Sequence, residues 1–166
     1  LSLDEAKTLF HEFGHALHGM LTDVTWPSVS GTSVSRDFVE LPSQLYEHWL
    51  TVPAVVEKHA LHYKTGKAMP GELLDKMLAA KTFGAGLATV EFTSSALVDM
   101  AYHARPDAPA DPVAFEAKTL DDLGMPDAIV MRHRTPHFLH VFSGEGYSAG
   151  YYSYMWSEVL DADAFA

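Results

Sequence analysis

Apolar residues recur at the spacing of an α-helix over most of this chain, so the pattern predicts a mainly α fold. The first helix is predicted from Asp4 to His18 and to end at Gly19, because Ser2 and Glu5 have the spacing of a capping box. Further helices are predicted over residues 37–50, 53–63, 72–80, 82–103 and 113–123, and the last is predicted to begin near Ala149.

Two stretches of the chain lack this periodicity. Residues 22–35 are mostly Ser, Thr, Val, Trp, Pro and Gly, which favour extended chain over helix, so we expect a small strand region there. Residues 125–142 are rich in His and contain Pro, and we expect them to be irregular. Pro42 is expected in the first turn of its helix or at a kink, because it lacks a backbone N–H.

The composition suits one folded domain and narrows the classes of partner. The chain has 166 residues, of which 48% are apolar, enough to bury a sizeable core. The net charge of −11 is spread without a basic block, which excludes nucleic acid and anionic membrane surfaces as partners. No apolar run reaches the length of a membrane span, and nothing in the pattern signals an oligomeric state.

The two ends of the sequence are typical of an excised piece. The chain begins at Leu1 without an initiator Met, and residues 156–166 still have a helical pattern with no Gly or Pro stop signal. We therefore expect residues 1–166 to be a single fragment of a larger protein.

The first predicted helix carries the pattern HExxH, formed by His11, Glu12 and His15. Residues four apart project from the same face of a helix, so the two imidazoles can bind one zinc ion. Glu12 flanks that face and can act as a general base toward water without being a ligand itself. Since the chain has no cysteine, histidine and carboxylate are the only strong metal ligands it offers.

A catalytic zinc site needs a third protein ligand, which usually comes from a separate element. Glu40 is the candidate, because it lies 29 residues after His11 and the intervening turn is long enough to return a second helix against the first. We expect one Zn²⁺ per chain, held by His11, His15 and Glu40. The other interpretation of the HExxH residues is a solvated polar stripe on an amphipathic helix.

Three polar residues near these ligands have two interpretations each. Asp37 and Glu47 can share a helix face with Glu40 and accept a hydrogen bond from a ligand histidine, or they can be ordinary surface carboxylates. His18 continues the face of the two ligand histidines, and we expect it in polar packing or lining a channel rather than on the metal.

A glycine loop followed by regularly spaced tyrosines lies near the end of the chain. Tyr147, Tyr151 and Tyr154 can line one face if the last helix begins early. A phenol O–H can stabilise the oxyanion that forms during amide hydrolysis, and aromatic core packing is the alternative use of the same spacing.

Residues 11–20 and 36–44 resemble the thimet oligopeptidase and dipeptidyl carboxypeptidase family of zinc peptidases, whose HExxH and RDFVExPSQ motifs both stand here. The resemblance implies that His11, His15 and Glu40 bind zinc and that Glu12 is the base. It also implies a long, mostly helical enzyme with a deep channel for short peptides. This chain is then the helical, zincin-type catalytic part of that larger peptidase.

The same resemblance implies roles in the tyrosine segment. Tyr147 and Tyr154 match positions linked to binding of the transition state, and Tyr151 matches one linked to substrate. His140 is the expected substrate-binding histidine, seven residues before Tyr147 where the family usually has five or six. The competing candidates are His133 and His137.

Gly31 and Thr32 lie in a Ser-Gly-Thr turn between the two metal motifs. The family has a similar turn beside a strand edge that pairs with the peptide backbone, so the resemblance implies that these two residues bind substrate by β-augmentation. Their spacing alone indicates only a loop.

Together these residues predict zinc-dependent hydrolysis of peptide bonds in short peptides, of the peptidyl-dipeptidase or the oligoendopeptidase type. A peptidyl-dipeptidase needs a cation for the free carboxylate of its substrate, which Arg132 or Arg134 could supply. In another class of function, the chain is a zinc-binding helical structural fragment with no turnover of its own. The resemblance implies a cytoplasmic location, with the periplasm as the alternative.

Overall fold

A computed structural model describes residues 1–166 and confirms the mainly α class. The nine α-helices are α1 Leu3–Met20, α2 Arg36–Val39, α3 Leu41–Glu47, α4 Pro53–His59, α5 Gly71–Thr82, α6 Ala85–His103, α7 Pro112–Asp122, α8 Leu139–Phe142 and α9 Ser153–Phe165. The only β pairing is an isolated antiparallel bridge between Leu61 and Ala68. None of the nine helices combines the length and the apolar character that crossing a bilayer requires.

The chain divides into two compact units. The first unit consists of Leu1–Phe83 and Met155–Ala166, and the second unit of Gly84–Tyr154.

The first helix of the first unit begins where its capping residues predict. The hydroxyl of Ser2 accepts a hydrogen bond from the backbone N–H of Glu5 at 3.2 Å, and the carboxylate of Glu5 accepts one from the N–H of Ser2 at 2.7 Å. These reciprocal bonds satisfy donors that the first helical turn leaves free. The helix then continues to Met20, just beyond the predicted end at Gly19.

The helix predicted over residues 37–50 is interrupted at Glu40. Pro42 has no N–H to donate to the carbonyl of Phe38, so α2 ends and a new helix begins with Pro42 in its first turn. Glu40 lies at this junction, with its own N–H bonded to Phe38. The following helix, predicted over 53–63, ends earlier, at His59.

The close approach of α1 to α3 depends on Gly14. A Cβ atom on this residue would lie 2.6 Å from Cα of Ser43 and 2.8 Å from the backbone oxygen of Pro42, both impossible contacts. Beside this contact, the ring of Phe10 stacks on Tyr46 with centroids 5.3 Å apart. The missing side chain at Gly14 therefore lets the two helix backbones touch.

The strand region predicted over residues 22–35 is wrong. This segment forms turns and a short 3₁₀-helix at Pro27–Val29 instead. The hydroxyl of Thr22 accepts a hydrogen bond from the N–H of Gly31 at 2.9 Å, and Gly31 has a left-handed φ of +54° that only glycine adopts readily. The chain thus folds back on the end of α1, and no neighbouring strand is present to supply a ladder.

The last residues of the chain are anchored within the first unit by polar contacts. Nε2 of His48 lies 2.8 Å from Oδ1 of the buried Asp161, and the ring of His48 stacks on Phe165 with centroids 4.6 Å apart. The hydroxyl of Ser157 donates to the backbone oxygen of Asp37 at 3.1 Å. These contacts hold the second half of α9 near the segment that carries Glu40.

The second unit has an apolar core to which the tyrosine segment contributes. Its buried residues are Ala96, Val98, Met131, Phe138, Val141 and Tyr151, with Phe92, Leu120, Tyr147 and Tyr154 packed against them. The last helix, predicted to begin near Ala149, begins at Ser153. Ala149 has a φ of +54°, which a helix does not accommodate, so residues 144–152 form a series of turns.

Candidate metal centre and tyrosine cluster

Two histidines and one carboxylate converge in the first unit. His11 and His15 lie one turn apart on α1, and Glu40 lies between α2 and α3. Oε2 of Glu40 is 3.2 Å from Nε2 of His11 and 3.1 Å from Nε2 of His15. The three residues offer ligand atoms that all lie within 4.8 Å of one another and could hold a metal ion.

The spacing of these atoms suits a small divalent cation. Ligand bonds of about 2.0 Å in a tetrahedron place neighbouring ligand atoms about 3.3 Å apart, close to the 3.1 and 3.2 Å found here. Nδ1 of His11 lies 2.8 Å from the carboxylate of Glu47, so a neutral imidazole directs the lone pair of Nε2 at the carboxylate of Glu40. The lone pair of this nitrogen and those of the carboxylate oxygen repel each other unless a cation or a proton lies between the two atoms. The set of two nitrogens and one oxygen is one that zinc accepts.

The charges around His11 favour a cation as well. The hydrogen bond with Glu40, and then that with Glu47, raises the pKa of His11 from its ordinary value of 6.5 to about 9. Burial acts to raise the pKa of Glu47, but the hydrogen bonds with His11 and Lys7 lower it below its ordinary value. The negative potential of two carboxylates therefore stabilises positive charge at this position.

Ser43 fixes the carboxylate of Glu40 and was not identified from the sequence. Its hydroxyl lies 2.8 Å from the backbone oxygen of Glu40 and 3.1 Å from Oε2 of the same residue. Glu40 is 2% exposed and Ser43 is fully buried, so the contact is shielded from water. The signal in the sequence is the position of Ser43 three residues after Glu40, in the first turn of α3, which brings the serine hydroxyl back toward the carboxylate.

Glu47, one of the two alternatives left open by the sequence, accepts a hydrogen bond from the candidate ligand His11. Its Oε1 lies 2.8 Å from Nδ1 of His11, and its Oε2 lies 3.0 Å from Nζ of Lys7. A carboxylate in this position fixes the tautomer and the orientation of an imidazole that binds metal through Nε2. The backbone oxygen of Asp37 accepts a hydrogen bond from the hydroxyl of Ser157.

The remaining residues of the HExxH helix lie where helix geometry places them. Glu12 is exposed on α1, next to His11 and three residues before His15. His18 lines a cavity of about 390 Å³ together with Gly14, Tyr46 and other apolar residues. The role of His18 in polar packing or in lining a channel stays a prediction.

The second unit brings His140 and the three predicted tyrosines together. The phenol oxygen of Tyr154 lies 2.9 Å from Nε2 of His140. The rings of Tyr147 and Tyr154 stack with centroids 5.5 Å apart and planes 6° apart, and His140 lies 4.5 Å from Tyr147. The ring of Tyr151 lies 5.4 Å from that of Tyr154. We call these four residues the tyrosine cluster.

The other two candidates for the substrate-binding histidine have different surroundings. His133 stacks on Phe138 with centroids 4.9 Å apart and reaches only the edge of Tyr151, at 6.1 Å. Burial lowers the pKa of His133, and burial raises the pKa of Tyr151. His137 lies exposed in a 3₁₀ turn. Of the three histidines, His140 is therefore the one that contacts the phenol of Tyr154.

The remaining candidates for substrate binding are two residues of the turn after α1 and two arginines. They differ in whether their polar groups are already bonded within the protein. The N–H of Gly31 is already bonded to Thr22, whereas Thr32 is exposed. Arg134 forms an ion pair with the buried Glu116, whose carboxylate also accepts a bond from the N–H of Thr135 at 2.6 Å. Arg132 is exposed and is the arginine that remains as a candidate for binding a free carboxylate.

A metal-binding set of two HExxH histidines and a distant glutamate is the arrangement of a metallopeptidase. The family model described as Peptidase family M3 matches residues 1–166. This chain belongs to peptidase family M3.

Curated relatives agree with this family over nearly the whole chain. Dipeptidyl carboxypeptidase from Escherichia coli strain K12 is 45% identical over 166 residues, which cover 98% of this chain and 24% of the relative. Oligopeptidase A from the same organism is 48% identical over 170 residues, with the same coverage of both chains. The organellar oligopeptidase A of Arabidopsis thaliana is 38% identical over 169 residues, covering 100% of this chain and 21% of the relative. The chain thus spans about a quarter of the length of the relatives it matches.

Proposed function

We propose that this chain is the catalytic part of a longer zinc peptidase that hydrolyses peptide bonds in short peptides. The observation that carries this proposal is the convergence of His11, His15 and Glu40 within 4.8 Å, with Glu12 beside them on α1. Membership of peptidase family M3 and the names of the relatives support the same reaction.

The residues that would hold one Zn²⁺ are His11, His15 and Glu40. Zinc bound by these three residues would supply a Lewis acid, which polarises a substrate carbonyl and lowers the pKa of water. Glu47 keeps the imidazole of His11 in the tautomer that leaves Nε2 free to bind, and Ser43 orients the carboxylate of Glu40. These two residues fix the ligands, so little reorganisation accompanies metal binding.

Glu12 acts as the general base and then as the general acid. Its carboxylate takes a proton from the water whose oxygen attacks the scissile carbonyl carbon. When the carbon–nitrogen bond breaks, Glu12 returns that proton to the leaving amine nitrogen. Its place on α1 beside the metal ligands, with its side chain exposed, suits this role.

The tyrosine cluster serves the oxyanion and the substrate in this proposal. If Nε2 of His140 carries its hydrogen, the histidine donates to the phenol oxygen of Tyr154, so that the phenol O–H can donate to an oxyanion. Tyr147, stacked on Tyr154, is the second donor. His140 contacts the substrate, and the buried Tyr151 supports the rings of His140 and Tyr154 from the core. Thr32 and the backbone oxygen of Gly31, whose N–H is bonded to Thr22, hold the substrate backbone from the turn after α1.

The mode of cleavage is proposed as peptidyl-dipeptidase or oligopeptidase, because relatives of both names match this chain. Arg132 is the candidate cation for a free substrate carboxylate in the first mode. Mass analysis of the products from one N-blocked peptide distinguishes the two modes, since release of C-terminal dipeptides in succession requires the first.

Removal of the metal is the direct test of the proposed function. We expect the full-length enzyme to contain about one zinc per chain and to lose peptide hydrolysis when a chelator strips it, because three protein ligands leave a catalytic position open. Stoichiometric Zn²⁺ should restore hydrolysis. Metal content by mass spectrometry and cleavage of an N-blocked peptide are measured on the same samples.

Two outcomes would contradict the proposal in different ways. Hydrolysis that continues after the zinc content has fallen to trace level removes the metal from the reaction. Stoichiometric zinc without hydrolysis of any short peptide supports the alternative, a zinc-binding structural domain.

Replacement of Glu47 by Gln should weaken zinc binding by about tenfold to a hundredfold, because the amide orients the imidazole of His11 less strongly than a carboxylate does. Zinc affinity is measured by competition with a chromophoric chelator. Lys7→Met is the matched control, since it removes the other partner of Glu47 but leaves the contact between Glu47 and His11. If Glu47→Gln binds zinc as tightly as the wild type does, the hydrogen bond between Glu47 and His11 does not affect zinc affinity.

A further inference from the structure

A buried carboxylate lies beneath the segment that carries the tyrosines. Asp99, on α6, is only 2% exposed. Its Oδ1 accepts a hydrogen bond from the backbone N–H of Ala149 at 3.0 Å, and its Oδ2 accepts one from the N–H of Tyr151 at 3.0 Å. Nδ1 of His103 donates a third bond to Oδ1 at 2.8 Å. Both oxygens are therefore occupied by donors.

The segment needs such an anchor because its backbone is strained. Ala149 is the only residue other than glycine with a positive φ, at +54°, a conformation that costs an alanine free energy. Its N–H is one of the two that Asp99 binds. Without an acceptor at that position the turn would lose both a hydrogen bond and the interaction that compensates the strain.

The anchor is connected to the aromatic rings by short backbone links. Tyr151 carries the second anchored N–H, and the N–H of Gly150 donates to the backbone oxygen of Tyr147 at 2.9 Å. A Cβ at Gly150 would lie 3.2 Å from Cα of Tyr147, so this turn is tightly closed. A shift at residues 149–151 therefore moves two of the rings that pack on Tyr154.

We propose that Asp99 is a positioning residue for the reaction: through its bonds to the N–H groups of Ala149 and Tyr151, it holds the tyrosine cluster in the arrangement in which Tyr154 bonds to His140. The inference rests on the proposed function of Tyr154 and extends it to a residue about fifty positions earlier in the chain. Asp99 acts only through residues 149–151, and His103 orients the carboxylate of Asp99.

An isosteric change is enough to disrupt this anchor. In Asp99→Asn one of the two oxygens becomes an NH₂ group, which is a donor facing another donor in either orientation of the amide. The side chain keeps its shape, so the apolar core around it is undisturbed.

The test is a double-mutant cycle on kcat/KM in the full-length enzyme, with values normalised to the bound zinc. We expect Tyr154→Phe to lower kcat/KM roughly a hundredfold, because it removes one oxyanion donor. Asp99→Asn should lower it at least about tenfold, and the double variant should be no slower than Tyr154→Phe alone. A residue that acts through Tyr154 has nothing left to position once the phenol oxygen is gone.

Glu116→Gln provides the matched control. Glu116 is also 2% exposed, lies in the same unit, and accepts a hydrogen bond from the N–H of Thr135 in a segment without the tyrosines. Its effect should multiply with that of Tyr154→Phe, as a general loss of stability does. If the effect of Asp99→Asn multiplies in the same way, or if Asp99→Asn has wild-type kcat/KM, the positioning role is wrong.

His103→Gln keeps the inference testable if Asp99→Asn does not fold. This variant removes the bond from Nδ1 of His103 while leaving both backbone bonds of Asp99 in place. We expect a smaller fall in kcat/KM that again disappears in the Tyr154→Phe background, and a multiplicative effect would overturn the inference. An inactive wild-type enzyme would instead overturn the proposed function, so the two failures are distinguishable.

Discussion

Replacement of Glu12 by Gln should lower peptide hydrolysis about a thousandfold to ten-thousandfold while leaving zinc bound, because an amide cannot take a proton from water. The substitution keeps the length of the side chain and changes an exposed position of α1, so neither the ligands nor the core is altered. Steady-state kcat is measured on an N-blocked peptide, and the zinc content is measured on the same preparation.

The control for this variant is Glu57→Gln, the same chemical change at an exposed carboxylate of α4 in the same unit. It should leave both kcat and the zinc content unchanged. Hydrolysis by Glu12→Gln within tenfold of the wild-type rate would remove Glu12 from the role of general base and leave the proton transfer to another group.

The convergence of the three candidate metal ligands could be predicted, because a helix fixes the direction of residues four apart. Once His11 and His15 share a helix face, only a third ligand from a returning segment is missing, and Glu40 is placed to supply it. The structure brings Oε2 of Glu40 within 3.2 Å of both Nε2 atoms. The hydrogen bond between Glu47 and His11 could not be predicted, because it depends on how α3 packs against α1.

The sequence predicts that the three tyrosines lie close together, but it predicts the wrong secondary structure for two of them. Tyr147 and Tyr151 were expected on an early start of the last helix, whereas they lie in turns and only Tyr154 lies in α9. Successive turns preserve enough of the helical spacing for the rings to meet. The anchoring of the tyrosine segment by Asp99 has no local signal, because the two backbone N–H groups that Asp99 binds are about fifty residues away in the sequence.

The strand prediction failed for a different physical reason. Residues rich in Thr, Ser and Val favour extended backbone, but a strand also needs a neighbour to accept its hydrogen bonds. In this segment the hydroxyl of Thr22 and the left-handed backbone of Gly31 close a turn instead. Local composition therefore indicated the absence of helix correctly and the presence of a strand incorrectly.

The close contact between α1 and α3 makes the candidate metal site sensitive to a side chain at position 14. Substitution of Gly14 by Ala adds a Cβ that would lie 2.6 Å from the backbone of Ser43, so the two helices must separate. Ser43 follows Glu40 by three residues and bonds to its carboxylate, so the separation moves the third ligand away from His11 and His15. We expect zinc affinity to fall by roughly a hundredfold or more and the free energy of unfolding to fall by about 1–3 kcal/mol.

Gly19→Ala is the matched control for this prediction. Gly19 lies on the same helix, and a Cβ there would meet no atom within 4 Å. Because alanine favours helix over glycine by up to about 1 kcal/mol, this variant should keep wild-type zinc affinity and be as stable or slightly more stable. Zinc affinity is measured by chelator competition and unfolding by urea denaturation, both on the full-length enzyme. If Gly14→Ala binds zinc as tightly as Gly19→Ala, close backbone contact between the helices does not set the position of Glu40.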